Sequence, residues 1–496
     1  MTDDASTADG GGTARPDPEA GRSDDRRLVE SLTDRLPGGD VGLVVGLLAA
    51  VYLAYVLIGV VLGYGLRGQL NSIATLTFYV AVFSMLALAL NLHWGYTGLF
   101  NIGVVGFMGV GIYVTAIVSK PVYTGSGAAQ VGGLGLPLPV GVLAGVIAAG
   151  LFGLLVGLPA LRLRADYLAI TTIAMSEIAR FSFLSSELQR FTLLDLVPFV
   201  STDLGIEVLT APVGFGGGSG LILDYTDPLQ YLFETLGLWD AYLGTVGAAE
   251  AIVPTNPKPV VDGLVYAALL LCVVAGFYWL LRRTGESPFG RVLKAIREDE
   301  AVTNALGKNT NRFKLTSFVL GCALMGLAGI LWLVGQGAVT PNFFRPRITF
   351  FVWVALIIGG AGSNTGSVVG GAIFAAVLYQ GPLYLQNVVE TTLGGVGRAP
   401  SGFGPAVAPL VSSADPTPLF LYTLDSVQQL QLVAMGVVLI WLMQNRPEGL
   451  LGHRKEMAAS IPLAPPARTA RDPDPDPAAA EPDPESRTDG GGDRDV

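Results

Sequence analysis

The sequence predicts an all-α integral membrane protein of about ten transmembrane helices, with both termini cytoplasmic and disordered acidic tails. Three observations carry that expectation. Of 496 residues, 51% are hydrophobic and only 14% charged, which no soluble globule of this size matches. Apolar runs of roughly 20 residues recur along the chain, long enough to cross a hydrocarbon layer. Lys and Arg gather in alternate connections between those runs, as they do in short cytoplasmic loops.

Taken in order, residues 1–40 hold 10 acidic and 5 basic side chains, and 464–496 hold 9 and 4, so the two ends supply −5 each and account for the whole formal charge of −10. Asp/Pro/Gly-rich stretches of this kind are too polar to bury a core, and 1–40 and 456–496 are read as disordered tails. A cleavable signal is not expected, because the polar stretch precedes the first apolar run, which then serves as its own insertion signal. Together with an acidic external loop, the tails fit the high-salt cytoplasm of a halophile.

Between the tails, 41–455 reads as one polytopic domain. Candidate spans fall at 41–63, 70–91, 97–119, 137–159, 166–184, 262–281, 314–335, 348–361, 366–385 and 429–445. Arg26, Arg27 and Arg35 precede the first span and Arg162 and Arg164 follow the fourth. Residues 282–314 carry eight basic against four acidic side chains, and Arg446, Arg454 and Lys455 follow the last span. An even number of spans with both ends inside places all four clusters on one side. The same parity puts 185–261 outside, with nine acidic and two basic residues and room for a short helix such as 228–240.

Several chemistries are excluded. Cys272 and Cys322 each lie inside an apolar run, so neither a disulfide framework nor a Cys metal site is expected. His93 and His453 are too far apart for a metal cluster or a triad. The one Gly-Lys pair, Gly307-Lys308, is followed by Asn309 and lacks the phosphate-loop pattern. The chain is therefore not an enzyme, holds no cofactor or metal and has no nucleic-acid partner. If ATP drives it, another subunit hydrolyses the ATP.

Four segments could carry function. In 86–114 a break at Asn91-His93-Trp94-Gly95-Tyr96 interrupts a long apolar stretch, and Gly103, Gly106 and Gly109 follow at three-residue intervals, which suits close helix contact or an unwound turn beside a cavity. Asn91, Tyr96 and Asn101 are polar groups at membrane depth that need partners or water. In 161–181, Glu177 and Arg180 lie about 16–21 Å into a helix that starts near Asp166. They form an i, i+3 pair that either satisfies itself or, with Tyr167 and Thr171, lines a path. In 286–314, Ser287 caps a helix whose first residue is Pro288, with an apolar stripe Phe289, Val292, Leu293, Ile296. The stripe slips to Val302, Ala305, Leu306, so a bend is expected near Glu298-Asp299-Glu300, and Gly307 ends the second helix. Such a pair is either a docking surface for a soluble partner or a membrane-surface element. In 359–371, Gly362, Gly366 and Gly370 recur every fourth residue, a packing or hinge pattern. The glycine segments at 95–111 and 359–371 form a weak internal symmetry, as in two bundles facing across a pore.

These segments, in this order and with NRPEGLLG at 445–452, resemble the LivM-type permease of branched-chain amino acid ABC importers. YLAITTIAMSEIAR at 167–180 and SPFGRVLKAIREDEAVTNALG at 287–307 carry most of the resemblance, which spans roughly 70–452 outside the long loops. It implies a cell-membrane permease that pairs with a homologous second permease, two cytoplasmic ABC ATPase subunits that bind the ATP, and an external solute-binding protein. It also implies that 299–307 is a coupling helix, with Phe289, Gly290, Arg291, Arg297, Glu298, Asp299, Glu300, Ala301 and Gly307 in the coupling surface. Gly307 falls one place late relative to Glu300-Ala301 in the importers' general pattern, and Asn101 and Val104 stand where the family commonly has Ser and His. Permeases of urea and short-chain amide importers are closely similar. An ion-coupled secondary transporter using Asp166, Glu177 and Arg180 is the reading from a different class.

Overall fold

The computed structural model describes residues 40–122, 131–163, 165–192, 212–223, 228–393, 400–445 and 448–451. The expected disordered tails lie outside the described residues, Asp40 excepted, as do Arg164 and Arg446.

Every expected span contains a helix. α1 is Asp40–Val61. α2, Leu66–Asn91, runs into a wide turn of π-helix at Leu92–Tyr96. Residues 98–103 are not helical, so the third span starts late, as α3 at Val104–Ser119. α4 is Leu138–Ala160 and α5 Ala165–Leu184. The 185–261 region forms not one helix over 228–240 but two, α6 Pro228–Thr235 and α7 Trp239–Glu250. Gly237, with φ +67, turns the chain between them. α8 is Lys258–Glu286, α9 Pro288–Glu298, α10 Glu300–Ala305 and α11 Thr310–Val334. α12 is Pro346–Gly359. α13, Asn364–Ile373, passes through a second π segment, Phe374–Gln380, into α14, Gly381–Leu393. α15 Phe403–Ser413, α16 Thr417–Asp425 and α17 Val427–Asn445 complete the chain. Among the described residues six continuous helices are long and apolar enough to cross a membrane, and five shorter apolar ones accompany them.

The packing follows from which helices are apolar all round. α2 and α11 fill the centre: α2 touches α8, α11, α12 and α13, and α11 also covers α3 and α4. A helix with no polar face belongs in an interior or in lipid, and these two sit in the interior, with Phe83, Leu86, Leu90, Phe318 and Met325 fully buried. α4 and α5 instead turn Leu151, Leu155, Ile170 and Ile178 outward, which only a hydrocarbon surround accommodates. Two short antiparallel ladders pair Phe191–Thr192 with Pro212–Val213 and Leu221–Ile222 with Ala338–Val339.

The π segment in α13–α14 displaces carbonyls from the helical ladder, and in lipid each needs a partner. Side chains from the two ends of the bundle supply them. The Tyr55 hydroxyl of α1 donates to the Ala376 carbonyl at 2.5 Å, and Gln431 Nε2 of α17 donates to the Leu378 carbonyl at 2.7 Å.

Candidate translocation and coupling site

The two glycine-rich breaks do not face each other across an opening; they touch. Asn91, fully buried at the end of α2, donates from Nδ2 to Asn364 Oδ1 at 3.1 Å, and its Oδ1 accepts the Gly362 amide at 2.7 Å. Gly362 has φ +90, a backbone that a side-chained residue adopts only with strain. Each hydrogen bond of such a clasp is worth about 1 kcal/mol in a membrane protein.

Behind the clasp lies a buried polar network in which the sequence reading had marked Asn101 and the break at His93 but not their partners. The Nε2 of His93 meets the Phe318 carbonyl at 3.0 Å and Nδ1 meets Asn101 Nδ2 at 3.1 Å. The carbonyl only accepts, so the ring is neutral and protonated on Nε2. His93 also stacks on Phe318 with ring centroids 4.9 Å apart. Asn101 uses its remaining atoms fully: Oδ1 accepts the Gly103 amide at 2.8 Å, and its carbonyl accepts Trp353 Nε1 at 3.0 Å. Thr97 donates to the Leu92 carbonyl at 2.9 Å, a group released by the π turn, and its hydroxyl lies 2.8 Å from that of Ser317. No local pattern marks Thr97, Ser317 or Trp353 in the sequence; only their burial in the fold does.

Tyr96 is buried with its ring against Gly285 of α8. The remaining candidate path residues lie apart, along α5. Tyr167 is on the outward face, 59% exposed, and the Thr171 hydroxyl returns to the Tyr167 carbonyl at 2.8 Å. Arg180 donates from Nε and Nη2 to Glu177 Oε2 at 2.9 and 2.6 Å. The other oxygen, Glu177 Oε1, is buried without a hydrogen-bond partner among the described residues. The α5 residues that reach the break are their neighbours: Thr172 Oγ1 accepts the Ile102 amide at 3.0 Å. A Cβ at Gly103, Gly106 or Gly109 would meet Thr172, Ser176 or Phe183. On the other side Gly366 and Gly370 press onto the backbone of α12 at Gly359 and Ala355. After α17, the amides of Leu450 and Leu451, within the 445–452 motif, donate to the Ile358 and Gly359 carbonyls at 2.9 Å each.

The coupling segment forms two helices bent at an extended Asp299 (φ −155, ψ 107). Ser287 Oγ accepts the Gly290 amide at 3.2 Å and Asp299 Oδ1 the Val302 amide at 2.9 Å, each capping its helix. Phe289 stacks on Phe313 of α11, 5.4 Å between centroids, and Gly290 sits against the Thr284–Gly285 backbone. Glu300 pairs with Lys314 at 2.8 Å and accepts from Thr310 at 3.0 Å. Arg291 and Ala301 are exposed. Arg297, paired with Glu298 at 2.7 Å, donates from Nη1 to the Gly95 carbonyl, and its stem packs on Gly98. Leu293 and Ile296 of the first stripe are buried, whereas Val302 and Leu306 of the second are 54% and 75% exposed. Gly307 has φ +78 with nothing within 4 Å of a Cβ, so Gly307→Ala is expected to cost only backbone strain, about 1 kcal/mol. Amide exchange through 300–307 should speed up about fivefold, and an unchanged rate would refute that cost.

Broken helices joined at glycines inside an apolar bundle, with a capped helix pair beneath, define a multi-pass integral membrane permease. Residues 72–396 match the family model described as branched-chain amino acid transport system / permease component, and the chain belongs to that family. It is 34% identical over 313 residues to the high-affinity branched-chain amino acid transport system permease protein LivM of Salmonella typhimurium, covering 63% of this chain and 62% of that protein. It is 23% identical over 344 residues to the probable branched-chain amino acid transport permease protein LivM of Methanocaldococcus jannaschii, 64% of this chain and 84% of that one. LivH of Salmonella typhimurium is similar over 102 residues at 33% identity, 20% of this chain and 32% of that protein. No solved structure matches the chain significantly.

Proposed function

We propose that the chain is the translocating permease subunit of an ATP-driven importer of branched-chain amino acids in the cell membrane. It works by alternating access, beside a homologous second permease, two cytoplasmic ATPase subunits and an external solute-binding protein. The names of the relatives, branched-chain amino acid permeases of both LivM and LivH type, support the substrate class and the permease pair. The observation that carries the coupling role is the orientation of 287–307. Its first stripe is buried against the bundle, while Val302 and Leu306 project from α10 with no described neighbour covering them, as a surface awaiting a soluble partner does.

In this reading the ATPase groove receives α10, and its closure pulls α9. Arg297 transfers that pull to the Gly95 carbonyl at the π turn of α2. Four residues earlier Asn91 holds Gly362 and Asn364, so the displacement reaches the clasp and parts the cytoplasmic end. Differential binding of the ATPases to the two states supplies the drive. Glu177, with one carboxylate oxygen left unpaired, is the polar group of α5 best suited to meet a solute ammonium or water.

Burying an apolar side chain of this size contributes about 2 kcal/mol. Leu306→Asp is therefore expected to weaken ATPase association by roughly 30-fold without altering membrane insertion. Copurification of the ATPases with the tagged permease measures it. Undiminished association would overturn the docking assignment, and uptake driven by an ion gradient without ATPases would favour secondary transport instead.

A further inference from the structure

Between the outer ends of α14 and α17 the chain makes a detour that the translocation reading does not use. α15 and α16 have 11 and 9 residues, about 16 and 14 Å at 1.5 Å per residue, too short to span a core of about 30 Å. Residues 403–425, the two helices and their turn, contain two charged side chains, Asp415 and Asp425, and no Lys or Arg. The turn is made at Ala414 (φ 54), and Asp415 Oδ1 accepts the Thr417 amide at 3.0 Å. Phe403 meets Tyr422 edge-on at 6.3 Å, tying the two helices together, and Ala406 is the one α15 residue fully buried.

The rest of the hairpin turns apolar atoms outward: Phe403 is 66% exposed, Val411 81% and Phe420 55%. Water does not tolerate so apolar a projection with so little of it covered. The surface is also continuous with another. α16 packs on α14 and α17, whose outward Leu383, Leu385, Val433 and Val437 belong to the hydrocarbon-facing belt of a membrane permease. The hairpin prolongs that belt at its outer boundary.

We propose that α15–α16 is a lipid-interface hairpin, lying along the outer boundary of the bilayer. Phe403, Val411 and Phe420 seat among acyl chains, and the Asp415 turn sits at headgroup level. With no basic residue in the hairpin, attachment rests on apolar burial and not on attraction to anionic headgroups, the other contribution that holds interfacial helices. This inference needs only the membrane, so it stands or falls separately from the importer reading.

Power-saturation electron paramagnetic resonance on the full chain in neutral phosphatidylcholine vesicles tests it. Cys272 is exposed and Cys322 buried, so nitroxides are placed at Val411→Cys and Phe420→Cys in a Cys272→Ser background. Collisions with oxygen, which concentrates in hydrocarbon, should exceed those with a water-soluble nickel chelate several-fold at both sites. The pattern should match Val437→Cys on α17 and be the reverse of Lys308→Cys. Nickel-dominated collisions would place the hairpin in water, and exclusion of both relaxants would place a protein over it; either result overturns the proposal. Adding anionic lipid should leave the ratio unchanged, and a marked rise in oxygen access would refute attachment by apolar burial alone.

Discussion

With the chain acting as the proposed ATP-driven importer subunit, Arg297→Ala is expected to leave it inserted and associated with the proposed ATPase subunits while cutting solute uptake per ATP hydrolysed at least about tenfold. The guanidinium donates to the Gly95 carbonyl and its stem covers Gly98, so one side chain joins α9 to the broken end of α2. A hydrogen bond to a charged donor contributes about 1.5–3 kcal/mol, and a coupling energy of 2 kcal/mol corresponds to roughly a 30-fold bias between two states. Removing it leaves α10 free to follow the ATPases without moving the clasp. Arg297→Lys retains the charge but not the planar fork and should fall between wild type and alanine. Paired uptake and hydrolysis measurements in proteoliposomes decide it, and an unchanged ratio in Arg297→Ala would remove Arg297 from the transmission route.

Gly370→Val is expected to destabilise the folded protein strongly and lower its melting temperature. A Cβ there would collide with the Ala355 carbonyl oxygen and with the Gly359 backbone, while Gly371, one residue on, is pressed against the Ser84 backbone of α2. The obstacle is backbone on both sides, which cannot rotate away as a side-chain tip does. Overpacking of buried sites typically costs 1–3 kcal/mol and here should reach about 3 or more, against a total stability of about 5–15 kcal/mol. Gly436→Val on α17, where nothing lies within 4 Å, is the matched control. Labelling of the buried Cys322 thiol during heating measures both variants, and equal melting temperatures would refute the packing argument.

The architecture was largely legible because each span announces itself as an apolar run. The capped, bent pair at 287–307 was legible for the same reason: Ser287, Pro288 and the slipped stripe are local signals, and the structure places the bend at Asp299. The clasp was not. Asn91 and Asn364 are separated by 273 positions, and neither residue's surroundings name the other. Arg297 was expected in the coupling surface, but its partner, the Gly95 carbonyl 202 positions away, emerges only in the fold. The helix expected over 228–240 was misjudged in extent because the apolar pattern runs straight over Gly237, whose left-handed backbone separates the two helices. In α5 the polarity of Thr171 and Glu177 drew attention, although Thr172 and Ser176, one residue away on the neighbouring face, meet the break.

The capture of the Ala376 carbonyl by Tyr55 has a consequence for biogenesis. The two residues are 321 positions apart, and Ser72 likewise meets Tyr384 across 312. At 5–20 residues per second, the first helical hairpin waits roughly 15–60 s in or beside the translocon before its hydroxyls find these acceptors. Nascent chains stalled before residue 376 should therefore hold that hairpin loosely, and its late capture makes release from the insertion machinery a report on completion of the second half.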